Sequence, residues 1–234
     1  MHDSEIHSPG EHELKFVFEN RAAPFFVQWL QCRCRPDPQF PEGIVSSIYY
    51  DTRDWRYLHE KVNSDYLKTK IRMRWYADIE TGEPGEPSYL EAKYRIGSKR
   101  VKVRIKTGRS GKWLSRAPLS DPALRELPGL LRQQGVEIRG DLLPVFRITY
   151  NRCRFIEPIS GGRICLDYDI RTPFVNWQMV PRVDPFSLET AVFEIKGRSN
   201  QLPNVLHQLT SMGCRKRSFS KYLVCYKNLM RAAL

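Results

Sequence analysis

The sequence predicts an α+β protein built on one mainly antiparallel sheet of about eight strands. Three observations predict it. Side chains alternate charged and apolar with period two in segment after segment. Neighbouring segments are joined by turn-forming Gly, Pro and Asp clusters, which suit hairpins better than crossovers. A few intervening stretches carry apolar stripes at helical spacing and must bury them against something.

The alternation is clearest in Leu67–Tyr76, LKTKIRMRWY. As a strand it points Lys68, Lys70, Arg72 and Arg74 one way and Thr69, Ile71, Met73 and Trp75 the other. As a helix it would scatter the same cations around the axis. Taken in order, Glu11–Phe18 is the first strand, with Glu11, Glu13, Lys15 and Val17 on one face and Leu14, Phe16 and Phe18 on the other. Asn20 is placed to cap a helix over Ala22–Arg33. The prolines of Arg35–Pro41 make a loop, and Gly43–Asp51 is a second strand rich in β-branched and aromatic residues. Asp54–Val62 forms a short helical or irregular link.

Ser88–Thr107 is a hairpin around Gly97. Glu91, Lys93 and Arg95 share a face of its first arm, and Arg100, Lys102, Arg104 and Lys106 share a face of the second. Asp121–Gln134 is a helix capped by Ser120 or Asp121, with Gly135 beyond its end. Pro144–Ile156 and Arg163–Ile170 are strands joined by Gly161-Gly162, and Thr190–Gly197 is the last strand. Short helices follow over Pro203–Met212 and Phe219–Leu229, the second with a stripe of Phe219, Tyr222, Leu223, Tyr226 and Leu229.

The chain has 234 residues, 38 basic against 26 acidic, for a formal net charge of +12. Such an excess calls for an anionic partner: nucleic acid, a membrane surface or a phosphate-rich small molecule. No apolar run approaches the roughly 20 residues needed to cross a bilayer. The polar N-terminus does not resemble a signal peptide, so a cytoplasmic protein is expected, with residues 1–10 a disordered lead-in to a single domain over 11–234. The six cysteines form no CxxC pair and the histidines no HExxH, so zinc chemistry finds no ligand set and the thiols are expected reduced.

Function turns on the charged sheet face. Left open, it would bind nucleic acid, but base-stacking aromatics are few on it, with Tyr76 and Tyr150 the main ones. Curled inward, it would line a channel with Lys and Arg that needs a polyanion to neutralise it, and a chain of phosphates meets that need. The interleaved acids Glu11, Glu13, Glu91, Asp167 and Glu194 are then either ion-pair partners or ligands for Mg²⁺ or Mn²⁺.

The ordered residues resemble a known family. Glu11-x-Glu13-x-Lys15 resembles the ExExK motif of triphosphate tunnel metalloenzymes. Ser47–Asp51, Lys70–Tyr76, Leu90–Lys93, Tyr150–Arg152, Arg163–Asp167, Phe193–Lys196 and Phe219–Tyr222 resemble successive motifs of the VTC (vacuolar transporter chaperone) polyphosphate polymerase domain. The resemblance implies an eight-stranded antiparallel tunnel barrel with a basic lumen and helices packed outside. It implies polyphosphate synthesis from ATP with Mn²⁺ or Mg²⁺. Hydrolysis of triphosphate and non-catalytic polyphosphate sensing are the alternatives.

Carried over residue by residue, it makes Lys15, Arg72, Arg74, Lys93, Lys102, Arg152, Arg163, Lys196 and Lys221 phosphate-binding, with Tyr150 lining the tunnel. Arg72 and Arg74 would grip successive phosphates and Lys93 and Arg152 would oppose them, with Lys221 completing the catalytic set. Glu194 would hold the metal, with Glu13 and Glu91 as further candidates. Lys68 and Lys70, near the start of their strand, are placed at the tunnel mouth. ATP and inorganic polyphosphate are the expected partners, without nucleic acid. The family's eukaryotic members add phosphate-sensing and membrane domains that these residues do not contain, which leaves the partner and the export route open, with a membrane protein that would hold the chain at the inner membrane face as one candidate.

Overall fold

A computed structural model describes residues 12–63, 65–96, 99–180 and 184–231. The expected lead-in, Glu11 and the Gly97 turn lie outside these residues. Eleven strands form one antiparallel sheet: β1 His12–Glu19, β2 Arg35–Pro36, β3 Glu42–Asp51, β4 Leu67–Ala77, β5 Ser88–Ile96, β6 Lys99–Thr107, β7 Leu143–Ile156, β8 Arg163–Val175, β9 Phe186–Ser187, β10 Thr190–Gly197 and β11 Arg215–Lys216. Six α-helices accompany them: α1 Ala23–Gln31, α2 Arg56–Val62, α3 Gly111–Arg116, α4 Pro122–Glu126, α5 Pro128–Gln133 and α6 Lys221–Arg231. Short 3-10 turns cover Asn20–Ala22 and Asn204–Leu209.

The main sheet path runs β11-β1-β10-β8-β7-β3-β4-β5-β6, with β2 on β7 and β9 on β8. Eight of the strands have eight residues or more, as the alternation requires. They do not close into a hydrogen-bonded barrel among the described residues. The outer edge of β1 is taken by β11, and the Arg217 N–H donates to the Lys15 carbonyl at 3.0 Å. Over Lys15–Val17 that edge is therefore closed to β6. The sheet nevertheless curls, because Lys15 of β1 and Lys102 of β6 line one cavity.

The convex face is apolar and carries two hydrophobic clusters. In one, Phe16, Phe18, Phe193 and Ile195 meet Phe26 and Leu30 of α1, with Phe26 edge-on to Phe193 at 5.2 Å. In the other, Ile48, Ile71, Met73, Trp75 and Leu90 meet Leu114 of α3, Leu124 of α4 and Leu131 of α5. Each buried Leu or Phe contributes on the order of 1.5–3 kcal/mol.

The third cluster corrects the expectation that all helices pack outside. Val45, Tyr49, Phe146, Ile148 and Tyr150, on the concave face, meet Tyr222, Cys225 and Leu229 of α6. Tyr222 stacks on Tyr49 at 4.9 Å and on Phe146 at 5.2 Å. The inner face near the start of β7 is apolar, and α6 fills it.

Three local expectations also change. The helix over 121–134 is two helices, because Pro128 has no N–H to continue α4. Asp121 caps α4 through the Ala123 N–H, and Gly135 follows α5 with φ +74°. Asn20 makes no cap hydrogen bond; its amide donates to Asp169 Oδ1 at 2.7 Å, and the Asp169 N–H donates back to Asn20 Oδ1 at 2.8 Å. Asp169 has a left-handed φ of 50°, and Asn151 also donates to its carboxylate. Since Asn151 has the opposite parity to Arg152, Asp169 leaves the basic face on which strict alternation placed it. All six cysteines are free thiols.

Candidate functional site: a basic cavity with two walls

The concave face of the sheet encloses a cavity of about 1290 Å³. Every site residue that the family resemblance assigns lines it: Glu13, Lys15, Arg72, Arg74, Glu91, Lys93, Lys102, Tyr150, Arg152, Arg163, Glu194, Lys196 and Lys221. Strand parity put all of them but Lys221, which comes from the start of α6, on one face, and sheet curvature makes that face a lumen.

One wall is β4–β5–β6. Here Arg72, Glu91 and Arg104 lie directly opposite one another across the three strands. Arg72 donates to Glu91 Oε2 from Nε at 2.7 Å, with its Nη2 at 2.6 Å from the same oxygen. Arg104 Nε stands 3.4 Å from Glu91 Oε1, and Arg74 Nη1 3.9 Å from Oε2. Burial opposes ionisation of Glu91, but Arg72, Arg74 and Lys93 outweigh it and hold the carboxyl well below the usual range. Arg74 is further fixed by Ser47 Oγ at 3.1 Å and the Tyr150 hydroxyl at 3.3 Å. Lys93 belongs to this wall, on the strand beside Arg72, so it does not oppose Arg72 and Arg74 as expected.

The other wall is β7–β8–β10–β1, joined by Lys221 at the start of α6. Arg152 donates twice to fully buried Asp167, from Nε at 2.5 Å and Nη2 at 2.7 Å. Lys221 donates to the same Asp167 carboxylate and stands 4.6 Å from the Tyr150 ring centroid. Glu194 accepts from Lys15 at 3.1 Å, Arg152 at 3.2 Å and Lys221 at 3.4 Å. Burial opposes the Glu194 charge, and Lys221, Lys15 and Arg152 together hold it ionised far below the usual range. Glu13 touches only the edge of this group, 3.8 Å from Lys15. Lys196 is paired in register with both Glu13 and Arg163.

Sequence reasoning did not assign roles to several participants. Asp167 lay on the basic face as one of several acids, with no signal that it would join Arg152 to Lys221. Arg104 lay in the second cationic ladder and stacks 3.5 Å from the Tyr89 ring centroid. Lys70 is not confined to the mouth: its amine reaches Ser220 Oγ at 3.5 Å, next to Lys221.

For a metal, the donor set matters. Among the described residues no three His, Cys, Asp or Glu side chains converge. Glu91 is 3% exposed, and Arg72 and Arg104 stand against its two oxygens. Glu194 is 16% exposed on the cavity wall. Its carboxylate already accepts from Lys15, Arg152 and Lys221, so it would hold Mg²⁺ or Mn²⁺, which complete their shell from water and substrate phosphates, in exchange for part of those contacts.

Comparison with known proteins agrees with this architecture. The model of the VTC domain matches residues 10–230. The chain belongs to the VTC domain family. A Bacillus halodurans structure provisionally described as an adenylate cyclase superposes with TM-score 0.51 at 13% identity, covering 90% of this chain and 95% of that one. A Vibrio parahaemolyticus structure with the same provisional description gives TM-score 0.48 at 12% identity, over 98% and 100%. The Bacillus likeness is one of fold alone. No curated protein matches by sequence. No helix among the described residues is long and apolar enough to cross a membrane.

Proposed function

We propose that this VTC domain is a polyphosphate polymerase that transfers the γ-phosphate of ATP to a growing polyphosphate chain. The observation that carries the reading is the pair of cationic walls around one cavity, each wall pre-set by buried carboxylates. Such a lumen is already organised for a phosphate chain and needs little rearrangement to receive one.

Phosphoryl transfer asks mainly for in-line positioning and charge neutralisation. A terminal oxygen of the chain attacks the γ-phosphorus, the bond from that phosphorus to the β–γ bridging oxygen breaks, and its electron pair leaves with ADP. Arg72 and Arg74 hold phosphate oxygens from one wall with Lys93 and Lys102 beside them. Arg152, Lys221 and Lys15 hold them from the other, with Arg163 and Lys196 further along. Tyr150 sits between Arg74 and Lys221 and keeps both in place. Glu194 would hold Mn²⁺ or Mg²⁺, which would supply charge neutralisation for the phosphate oxygens. Glu91 serves this reading as the counter-charge that aims Arg72 and Arg104, not as a metal ligand.

The test is to incubate purified protein with ATP and Mn²⁺ or Mg²⁺ and resolve the products on a gel stained for polyphosphate. The proposal predicts long polyphosphate and ADP. Free phosphate as the only product would replace it with triphosphate hydrolysis. Thermal stabilisation by tripolyphosphate without turnover would leave a sensor.

A further inference from the structure

The β4–β5–β6 wall contains two neighbouring cross-strand rows of different composition. In one, Arg72 and Arg104 flank Glu91. In the next, Lys70 lies directly opposite Lys93, and Lys93 directly opposite Lys102. Like charges directly opposite in a sheet repel, and none of these three paired positions is an acid.

Lys70 shows the consequence best. Its amine lies 5.9 Å from the Tyr49 ring centroid and 3.5 Å from Ser220 Oγ, next to Lys221, while Lys93 is its register partner on β5 and the charges of Arg72, Lys15, Lys221 and Lys61 act on it through space. Among the described residues it makes no ion pair, although Lys15, Arg72, Arg152 and Lys221 each make one. The only hydrogen bond it makes among those residues is the long one to Ser220. The geometry is an ammonium group aimed into a cavity, surrounded by cations and without a counter-ion.

We propose that Lys70 is a proton-linked phosphate site: a phosphate oxygen of the bound chain supplies the missing counter-charge, and binding takes up one proton at the Lys70 amine. Burial, then Arg72, Lys15, Lys221 and Lys61, pull Lys70 down to about 7. Near neutral pH the empty protein therefore holds part of its Lys70 as the free amine, NH₂. A phosphate oxygen within reach favours NH₃⁺, and the proton comes from solvent. Affinity for the chain then falls as pH rises through about 7, because more of the ligand-free protein must be protonated before it binds.

This inference rests on the cavity binding polyphosphate, and the experiment separates the two. Tripolyphosphate binding is measured by titration calorimetry without metal at pH 6 and pH 8, on wild type, Lys70→Arg and Lys70→Gln. Comparison with the variants cancels the ligand's own titration. The arginine stays charged throughout, so wild type should lose about tenfold in affinity relative to Lys70→Arg between the two pH values. Against Lys70→Gln, the wild-type advantage at pH 6 should shrink by a similar factor at pH 8. Parallel pH profiles for all three proteins would overturn the Lys70 assignment while leaving a polyphosphate cavity. Absence of tripolyphosphate binding to wild type at both pH values would overturn the assignment and the cavity's proposed function together.

Discussion

The two walls of the cavity use the same residue types in different ways. On β4–β5–β6, one acid, Glu91, is enclosed by Arg72 and Arg104 and is 3% exposed. On β7–β8–β10–β1, two acids divide the work. Asp167 is fully buried behind Arg152 and Lys221, and Glu194 is 16% exposed on the lumen. The difference teaches that an acid's neighbours, more than its place on a basic strand face, decide what it can do. All three acids fix cations, but only Glu194 of the three keeps an appreciable part of its side chain, 16%, open to the lumen.

The largest expected effect comes from breaking the closed side of this contrast. Glu91→Gln removes a buried charge from between the part-buried Arg72 and Arg104 and should cost about 3–5 kcal/mol of folding stability, read by denaturant unfolding. It should also change the acid limb. Because Glu91 has a folded pKa below its unfolded one, its contribution is complete above the ordinary carboxylate range and is lost as pH falls through the folded value. Stability of wild type should therefore drop more steeply in acid than that of Glu91→Gln. Equal slopes would show that the row is not held by charge.

Glu194→Gln tests the accessible side. It should reduce metal-dependent turnover by about 10²–10³-fold with a smaller loss of melting temperature than Glu91→Gln. Unchanged turnover would remove Glu194 from the site. Arg74→Ala should lower turnover by a similar factor. Tripolyphosphate should stabilise that variant less than wild type in a thermal melt.

Tyr222→Phe gives a smaller effect and probes how α6 supports the second wall. The Tyr222 hydroxyl donates to buried Asp51 at 2.7 Å, beside backbone donors from Thr52, Tyr57 and Leu58. Losing it leaves that carboxylate one donor short and should cost about 1–3 kcal/mol. If α6 positions Lys221, turnover should fall along with stability. A stability loss with full turnover would uncouple the helix from the chemistry.

Much of this arrangement was legible in the sequence. Period-two alternation in Leu67–Tyr76 assigned Arg72 and Arg74 to one face and Ile71, Met73 and Trp75 to the other, and curvature turned that face into a lumen. The position of α6 was not legible. Its stripe of Tyr222 and Leu229 shows that the helix must be buried but not against which sheet face, and the inner face proves apolar only once Tyr49 and Phe146 are neighbours. Nor could spacing show that Lys93 stands beside Arg72 instead of across from it, because strand order is a long-range property. The break at Pro128 was available from the missing N–H alone. Asn20 satisfies the signature of a cap, yet Asp169, 149 positions away, is the stronger partner.

The central claim, that both walls grip one phosphate chain, is tested most directly by a crystal structure with tripolyphosphate and Mn²⁺. The account predicts phosphates inside the cavity, in contact with Arg72 or Arg74 on one side and Arg152 or Lys221 on the other, with Mn²⁺ at Glu194. Phosphates bound only on the outer surface, with both walls' ion pairs unchanged, would contradict it.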